Sequence, residues 1–133
     1  MNEVDSLYEI RNFKPGDLSF VVATFLRGLY YGNQYFHLME KDLFMNKYKP
    51  VAEALVTNRS INVACLNDDQ DVILGYSMVS KDNSTVDWVY VKKAWREQGI
   101  ARKLVPNVSA YSHFTDIGLK IAKNKNLNFN PFL

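Results

Sequence analysis

Three short apolar runs follow one another between positions 61 and 91, and they restrict the fold more than any other feature. They are Ile61 to Leu66, Val72 to Val79 and Thr85 to Val91, each the length of a strand. The links between them, Asn67-Asp68-Asp69-Gln70-Asp71 and Ser80-Lys81-Asp82-Asn83-Ser84, consist of turn-forming polar residues. Runs joined so closely must fold back as antiparallel hairpins, because a parallel crossover needs a dozen or more residues. A three-strand meander is therefore expected. The chain changes character after Val91: Lys92-Lys93-Ala94-Trp95, then Arg96-Glu97-Gln98-Gly99-Ile100-Ala101, then a helical stretch.

A strand that gives way to a glycine-containing loop and a helix start is a device for holding phosphate. The unpaired N–H groups of the loop and first turn point outward and carry partial positive charge. Gly99 lets the backbone come close to a ligand where a side chain would intervene. Lys92, Lys93, Arg96, Arg102 and Lys103 cluster around this loop, opposed only by Glu97. Such a run is commonly just a solvated face; beside a phosphate loop it also suits a polyanion. The plain alternative for the whole segment is a glycine turn between a strand and a surface helix.

The rest of the chain supplies the frame. Leu7 to Phe13 reads as a first strand, stopped by Lys14-Pro15-Gly16. Asp17 is placed to cap a helix whose stripe is Leu18, Val22, Phe25, Leu26 and Leu29, ending between Gly28 and Gly32. Gln34 to Tyr48 is rich in aromatics and methionine with weak periodicity, so it reads as a loop or a broken helix. Pro50 suits the first position of another helix, with Val51, Ala54 and Leu55 facing inward and Asn58-Arg59-Ser60 at its end. A helix from about Ile100 meets Pro106, which shortens or kinks it. Ala110 to Phe114 is a strand candidate parallel to Thr85–Val91. Thr115 or Asp116 could cap a last helix through Ile121 and Ala122, and Leu127 to Leu133 would be a short strand or an extended tail.

Composition sets outer limits. A chain of 133 residues is expected to be one domain, and 47% hydrophobic with 23% charged residues is ordinary for a soluble globular protein. No run is long enough to cross a bilayer, and Glu3 and Asp5 argue against a secretion signal, so a cytoplasmic location is expected. A net charge of +2 gives no case for nucleic acid. The single cysteine, Cys65, lies in an apolar run and reads as a small buried hydrophobe. Two separated histidines and one cysteine make no metal site, and no strand-to-helix elbow presents a serine nucleophile.

The segment carrying Arg96, Gly99 and Ala101 resembles the acyl-CoA-binding motif of the GNAT superfamily of N-acyltransferases, R/Q-x-x-G-x-G/A, with Val91 closing the strand before it, Trp95 as an aromatic and Leu104 on the helix after it. The specific match covers Thr85 to about Leu104; elsewhere the agreement is in the order of elements. The resemblance implies an α+β fold: a central mixed sheet with an antiparallel meander, a parallel, splayed strand pair and helices on both faces. It also implies a single domain over residues 1–133 with a shortened C-terminal end. In compactness, and in the ending Asn130-Pro131-Phe132-Leu133, the chain resembles short GNAT-like proteins of tailed bacteriophages, which would put it in the host cytoplasm.

What the resemblance implies about chemistry can be stated residue by residue. Acetyl-CoA, as co-substrate, would lay its pantetheine arm along Trp88 to Val91. Val89, Tyr90 and Val91 would supply peptide groups there, with an N–H near Val89 facing the thioester oxygen. The pyrophosphate would rest on Arg96, Glu97, Gln98, Gly99, Ile100, Ala101 and Arg102. An amine of unknown identity would attack directly and needs a base, often acting through water. Asp87, two residues from Val89, is the first candidate; its alternative is a polar residue on a half-exposed strand face. His113 is the second, with a pKa suited to neutral pH; it could equally be structural. Tyr30, Tyr31, Tyr35 and Phe36 could border the acceptor or simply pack in the core. The family's tyrosine acid on the last helix has no counterpart in Asp116 to Asn124, and Tyr111 precedes that stretch. A fold that binds CoA or a macromolecular partner without turnover is therefore the second reading, and a small structural protein the third. A homodimer is left open.

Overall fold

The computed structural model describes residues 7–33, 35–82, 84–105, 110–111 and 128–129, the last four by their backbone. Four strands form an antiparallel sheet in chain order: β1 (Tyr8–Asn12), β2 (Ser60–Leu66), β3 (Ile73–Val79) and β4 (Thr85–Val91). The expected meander is present, and β4 has the bounds its alternation predicts. Two-residue strands continue the sheet. β5 (Ala110–Tyr111) pairs in parallel with β4 at Thr85↔Ala110 and Val86↔Tyr111, and β6 (Asn128–Phe129) pairs in parallel with β5. The expected last helix, the remainder of the Ala110–Phe114 strand and Pro106 lie outside the described residues. So does any splaying of β4 from β5 beyond Val86.

Two bulges adjust the sheet. Cys65 faces Ile73 and Ala64 faces Gly75, which leaves Leu74 as an extra residue in β3. Trp88 faces Met78 and Val86 faces Val79, which leaves Asp87 as an extra residue in β4. A bulge bends its strand and resets which side chains share a face. The two-residue spacing that would put Asp87 beside Val89 therefore no longer fixes its direction. The β3–β4 turn is closed by Asp82, whose Oδ1 accepts from Ser80 Oγ at 2.7 Å, Ser84 Oγ at 2.7 Å and Ser84 N at 3.0 Å. Those donors, Ser84 first, hold the Asp82 carboxyl down at about 2.

Helices α1 (Leu18–Gly32) and α2 (Lys41–Asn58) cover one face of the sheet, and α3 (Ile100–Leu104) packs on the other. On the first face Val21, Phe25, Leu29, Phe44, Ala52 and Val56 close over Val63, Tyr76, Met78 and Trp88. Asp17 stands at the α1 N-cap position, yet its carboxylate does not cap the helix. It accepts a bidentate pair from Arg11 at 2.7 and 3.0 Å and the Lys14 N–H at 2.8 Å, pinning the helix entry to β1. Arg11 holds the Asp17 carboxyl below its ordinary value.

α2 departs from expectation. It begins at Lys41 and carries Pro50 inside it rather than at its start. The aromatic segment read as a loop or broken helix is a 3-10 turn, Phe36–Leu38, followed by the first half of α2. Phe44 stacks on Tyr48 at 5.2 Å and 16°, with Phe36 and Tyr30 beside it, so tertiary packing sustains a helix that local periodicity does not announce. Burial pushes the Tyr48 hydroxyl up to about 12. Pro50 is exposed, which lets water serve the carbonyl its ring leaves without a donor. The inward positions are Ala52 and Val56; Val51 and Ala54 are exposed. Cys65 is fully buried in β2, as its apolar run suggests, and burial pushes its thiol up.

Candidate functional site

The phosphate-loop expectation concerns the peptide groups at the end of β4. Lys92 N–H donates to Leu74 O at 2.8 Å, so β4 turns that residue's peptide toward β3. Antiparallel strands alternate direction at every residue, which sends the peptide groups of Tyr90 the same way and those of Val89 and Val91 to the opposite edge. The side chain of Arg96 confirms the direction at Val91: its Nε donates to Val91 O at 2.8 Å from that edge. Val89 thus presents its N–H on the side where β5 joins the sheet. Tyr90 does not, because its peptide belongs to the β3 ladder.

After β4 the chain makes a 3-10 turn, Lys93–Trp95, closed by Trp95 N–H to Lys92 O at 2.8 Å. Trp95 packs against the cluster of Tyr8, Ala64, Leu74, Val91, Ile100 and Leu104. The loop then takes two left-handed residues, Glu97 at φ 64° and Gly99 at φ 86°. For glycine this conformation is free; for Glu97 it costs about 1–2 kcal/mol, a strain held in place by the turn before and the helix after. An added Cβ at Gly99 would meet nothing within 4 Å, so backbone conformation and open space, not packing, select glycine there. Ile100 and Leu104, both buried, anchor the single helical turn of α3. Among the described residues the peptide N–H groups of positions 97 to 102 donate to no backbone carbonyl, while Lys103 N–H returns to Gly99 O at 3.3 Å. Amides without a backbone acceptor beside a left-handed loop are what an anionic ligand requires.

The basic cluster is divided rather than pooled. Lys92 reaches across one face to the Phe20 ring at 5.6 Å, Lys103 reaches the Tyr8 ring on the other face at 5.1 Å, and Arg96 is folded onto Val91. Lys93 and Arg102 make no such contact among the described residues, and they are exposed beside the loop, as are Arg96 and Lys103.

Asp87 is fully buried, and Arg59 Nε donates to its Oδ2 at 2.7 Å. The half-exposed alternative for this residue is thereby corrected: it sits in the bulge, sealed and ion-paired. Arg59 was legible only as the end of a helix, because nothing in the sequence links positions 59 and 87. Gly75 was also missed. It faces Val91 across β3 and β4, and any side chain there would collide with the Tyr90 carbonyl oxygen, so the glycine keeps β3 tight against the loop end of β4. A glycine inside an apolar strand run was the available signal.

His113 and the side chain of Tyr111 lie outside the described residues. Of the aromatic candidates, Tyr30 is buried with its hydroxyl donating to Met39 O at 2.7 Å, and Phe36 packs on Phe44 and Tyr48. Tyr31 and Tyr35 are exposed. Among the described residues no three His, Cys, Asp or Glu side chains gather as metal ligands, and no helix is long and apolar enough to cross a membrane.

Comparison with known proteins agrees with the fold. A family model described as an acetyltransferase (GNAT) domain matches residues 36–132. A solved protein from Pyrococcus furiosus assigned as an acetyl transferase superposes with a TM-score of 0.66 at 13% identity, over 95% of this chain and 96% of that one. The predicted acetyltransferase from Clostridium acetobutylicum, solved with acetyl-CoA, gives 0.54 at 10% identity, over 96% and 94%. YjaB from Escherichia coli gives 0.53 at 16% identity over 74% of this chain, which spans 61% of its length. At such identities these likenesses establish the fold. All three proteins come from cellular organisms and lend a phage source no support. No curated protein sequence matches.

Proposed function

The chain belongs to the GNAT family of acetyltransferase domains, and from that premise we propose that it moves an acetyl group from acetyl-CoA to an amine by direct attack. The observation that carries the reading is the row of amides at positions 97 to 102, which donate to no backbone carbonyl among the described residues, around left-handed Gly99. They would hold the pyrophosphate, with Lys93, Arg96 and Arg102 as exposed cations beside them. β4 pairs with β5 at Thr85 and Val86 and bulges at the next residue, Asp87. The bend would part the two strands from there on, giving the pantetheine arm the outward edge of Val89 and Val91.

The amine nitrogen then bonds to the acetyl carbon, the oxygen takes the negative charge opposite Val89 N–H, and collapse expels the CoA thiolate. The amine proton leaves to a base. His113 and Asp87 are proposed for that role, Asp87 through a relay because its own carboxylate is sealed behind Arg59. The same seal favours one competing reading, a domain that binds CoA without turning it over.

Thermal-shift titration tests the proposal. Acetyl-CoA should raise the melting temperature with the logarithm of its concentration over Kd, and Gly99→Glu should remove the shift while keeping the fold. Tight binding by Gly99→Glu would contradict the loop assignment. Release of free thiol across a panel of amines, lost in His113→Ala or Asp87→Asn, would separate transfer from binding alone.

A further inference from the structure

Between α1 and α2 the surface dips into a cleft of about 390 Å³ lined by Ala23, Leu26, Arg27, Tyr31, Lys41 and Met45. That size falls within the range of small-molecule sites, roughly 300–1,000 Å³. Its composition is one-sided. Leu26 and Met45 give a buried and a half-buried apolar floor, Arg27 and Lys41 give two cations at the rim, and among the described residues no carboxylate lines it. Arg27 makes no ion pair among the described residues. The Lys41 ammonium lies 5.4 Å from the Tyr31 ring centroid, and Tyr31 beside it pushes its pKa up. Glu40 and Asp42 flank Lys41 in sequence and are exposed, but neither borders the cleft.

The cleft is set apart from the β4 edge. Thr24 hydrogen-bonds to Tyr76 at 2.7 Å and Gly28 abuts Trp88, so these two define the sheet side of α1. Ala23 and Arg27, one position before each, are exposed on another side.

We propose that this cleft binds a small amphipathic anion, a carboxylate carried on an aliphatic chain, with the chain over Leu26 and Met45 and the charge between Arg27 and Lys41. Apolar area supplies the attraction and the cation pair selects the sign of the head group. Neutral or cationic chains of equal length lack the second contribution.

Octanoate is the probe, followed by amide and side-chain chemical shifts of the full chain, with octanol and octylamine as controls. Saturable shifts at Ala23, Leu26, Arg27, Tyr31 and Met45 are expected for octanoate alone. Neutralising both exposed cations, Arg27→Gln with Lys41→Gln, should weaken it about five- to tenfold, the scale of two exposed charge contacts. Met45→Glu should abolish it, with the same spectra reporting that the fold persists. Saturating acetyl-CoA should leave octanoate binding unchanged. Equal binding of octanol, an unaltered affinity in the double variant, displacement by acetyl-CoA, or no saturable shift would each overturn the proposal.

Discussion

The two faces of the sheet are built on different physical terms. One is an aromatic pile, with Phe25, Phe44, Tyr48 and Trp88 packed against one another and Tyr76 against Phe20 and Tyr90, on the side of the two long helices. The other is covered by a single helical turn that rests on Tyr8, Ala64, Leu74 and Val91 through Ile100 and Leu104. The first face carries bulk stability; the second carries a loop whose N–H groups find no backbone acceptor among the described residues. The lesson is that the chain can hold a strained, open loop because most of its packing lies on the far side of the sheet.

Changes on the two faces should separate accordingly. The largest loss is expected for Phe44→Ala, about 4 kcal/mol in urea unfolding, with acetyl-CoA affinity of the remaining folded protein unaltered. A matching loss of affinity would break the separation. Arg59→Gln removes the ion-pair partner of the buried Asp87 carboxylate and should cost about 3 kcal/mol; it bears on the bulge, so affinity should fall as well. Asp17→Asn should cost about 2 kcal/mol at neutral pH by removing hydrogen bonds to a charged partner. Because the folded Asp17 carboxyl is held below its ordinary 3.8, that contribution is complete above pH 3.8 and disappears as the pH drops through the folded value. Unfolding of both proteins from pH 7 to pH 2 would show the two curves converging in acid. The smallest effect belongs to Gly99→Ala, about 1 kcal/mol from the left-handed backbone alone, yet with a disproportionate drop in acetyl-CoA affinity by titration calorimetry.

The features legible in the sequence obey local rules. β4 was legible because alternation and polar turns bound it on both sides, and Gly99 because a glycine between a strand and a helix start marks a loop whose backbone a ligand can approach. α2 was not, since Pro50 reads as a start while the true start at Lys41 depends on Phe44 and Tyr48 meeting Phe36 and Phe25 in space. Asp17 was placed at the right position for the wrong work: Arg11, six residues earlier, outcompetes the helix N–H groups for its oxygens. The candidate site was legible where it is backbone and illegible where it is a long-range pair, as with Arg59 and Asp87, or a bulge, which no spacing reveals.

Cys65 gives the chain a means of reporting on itself. Its thiol is sealed within β2 and is the sole sulfhydryl in the sequence. A maleimide can therefore attach only while the strand is momentarily uncovered, so the rate of mass gain by one adduct counts those excursions. Run with and without nucleotide ligand, that clock would show whether occupancy at one end of the sheet quiets breathing in its middle.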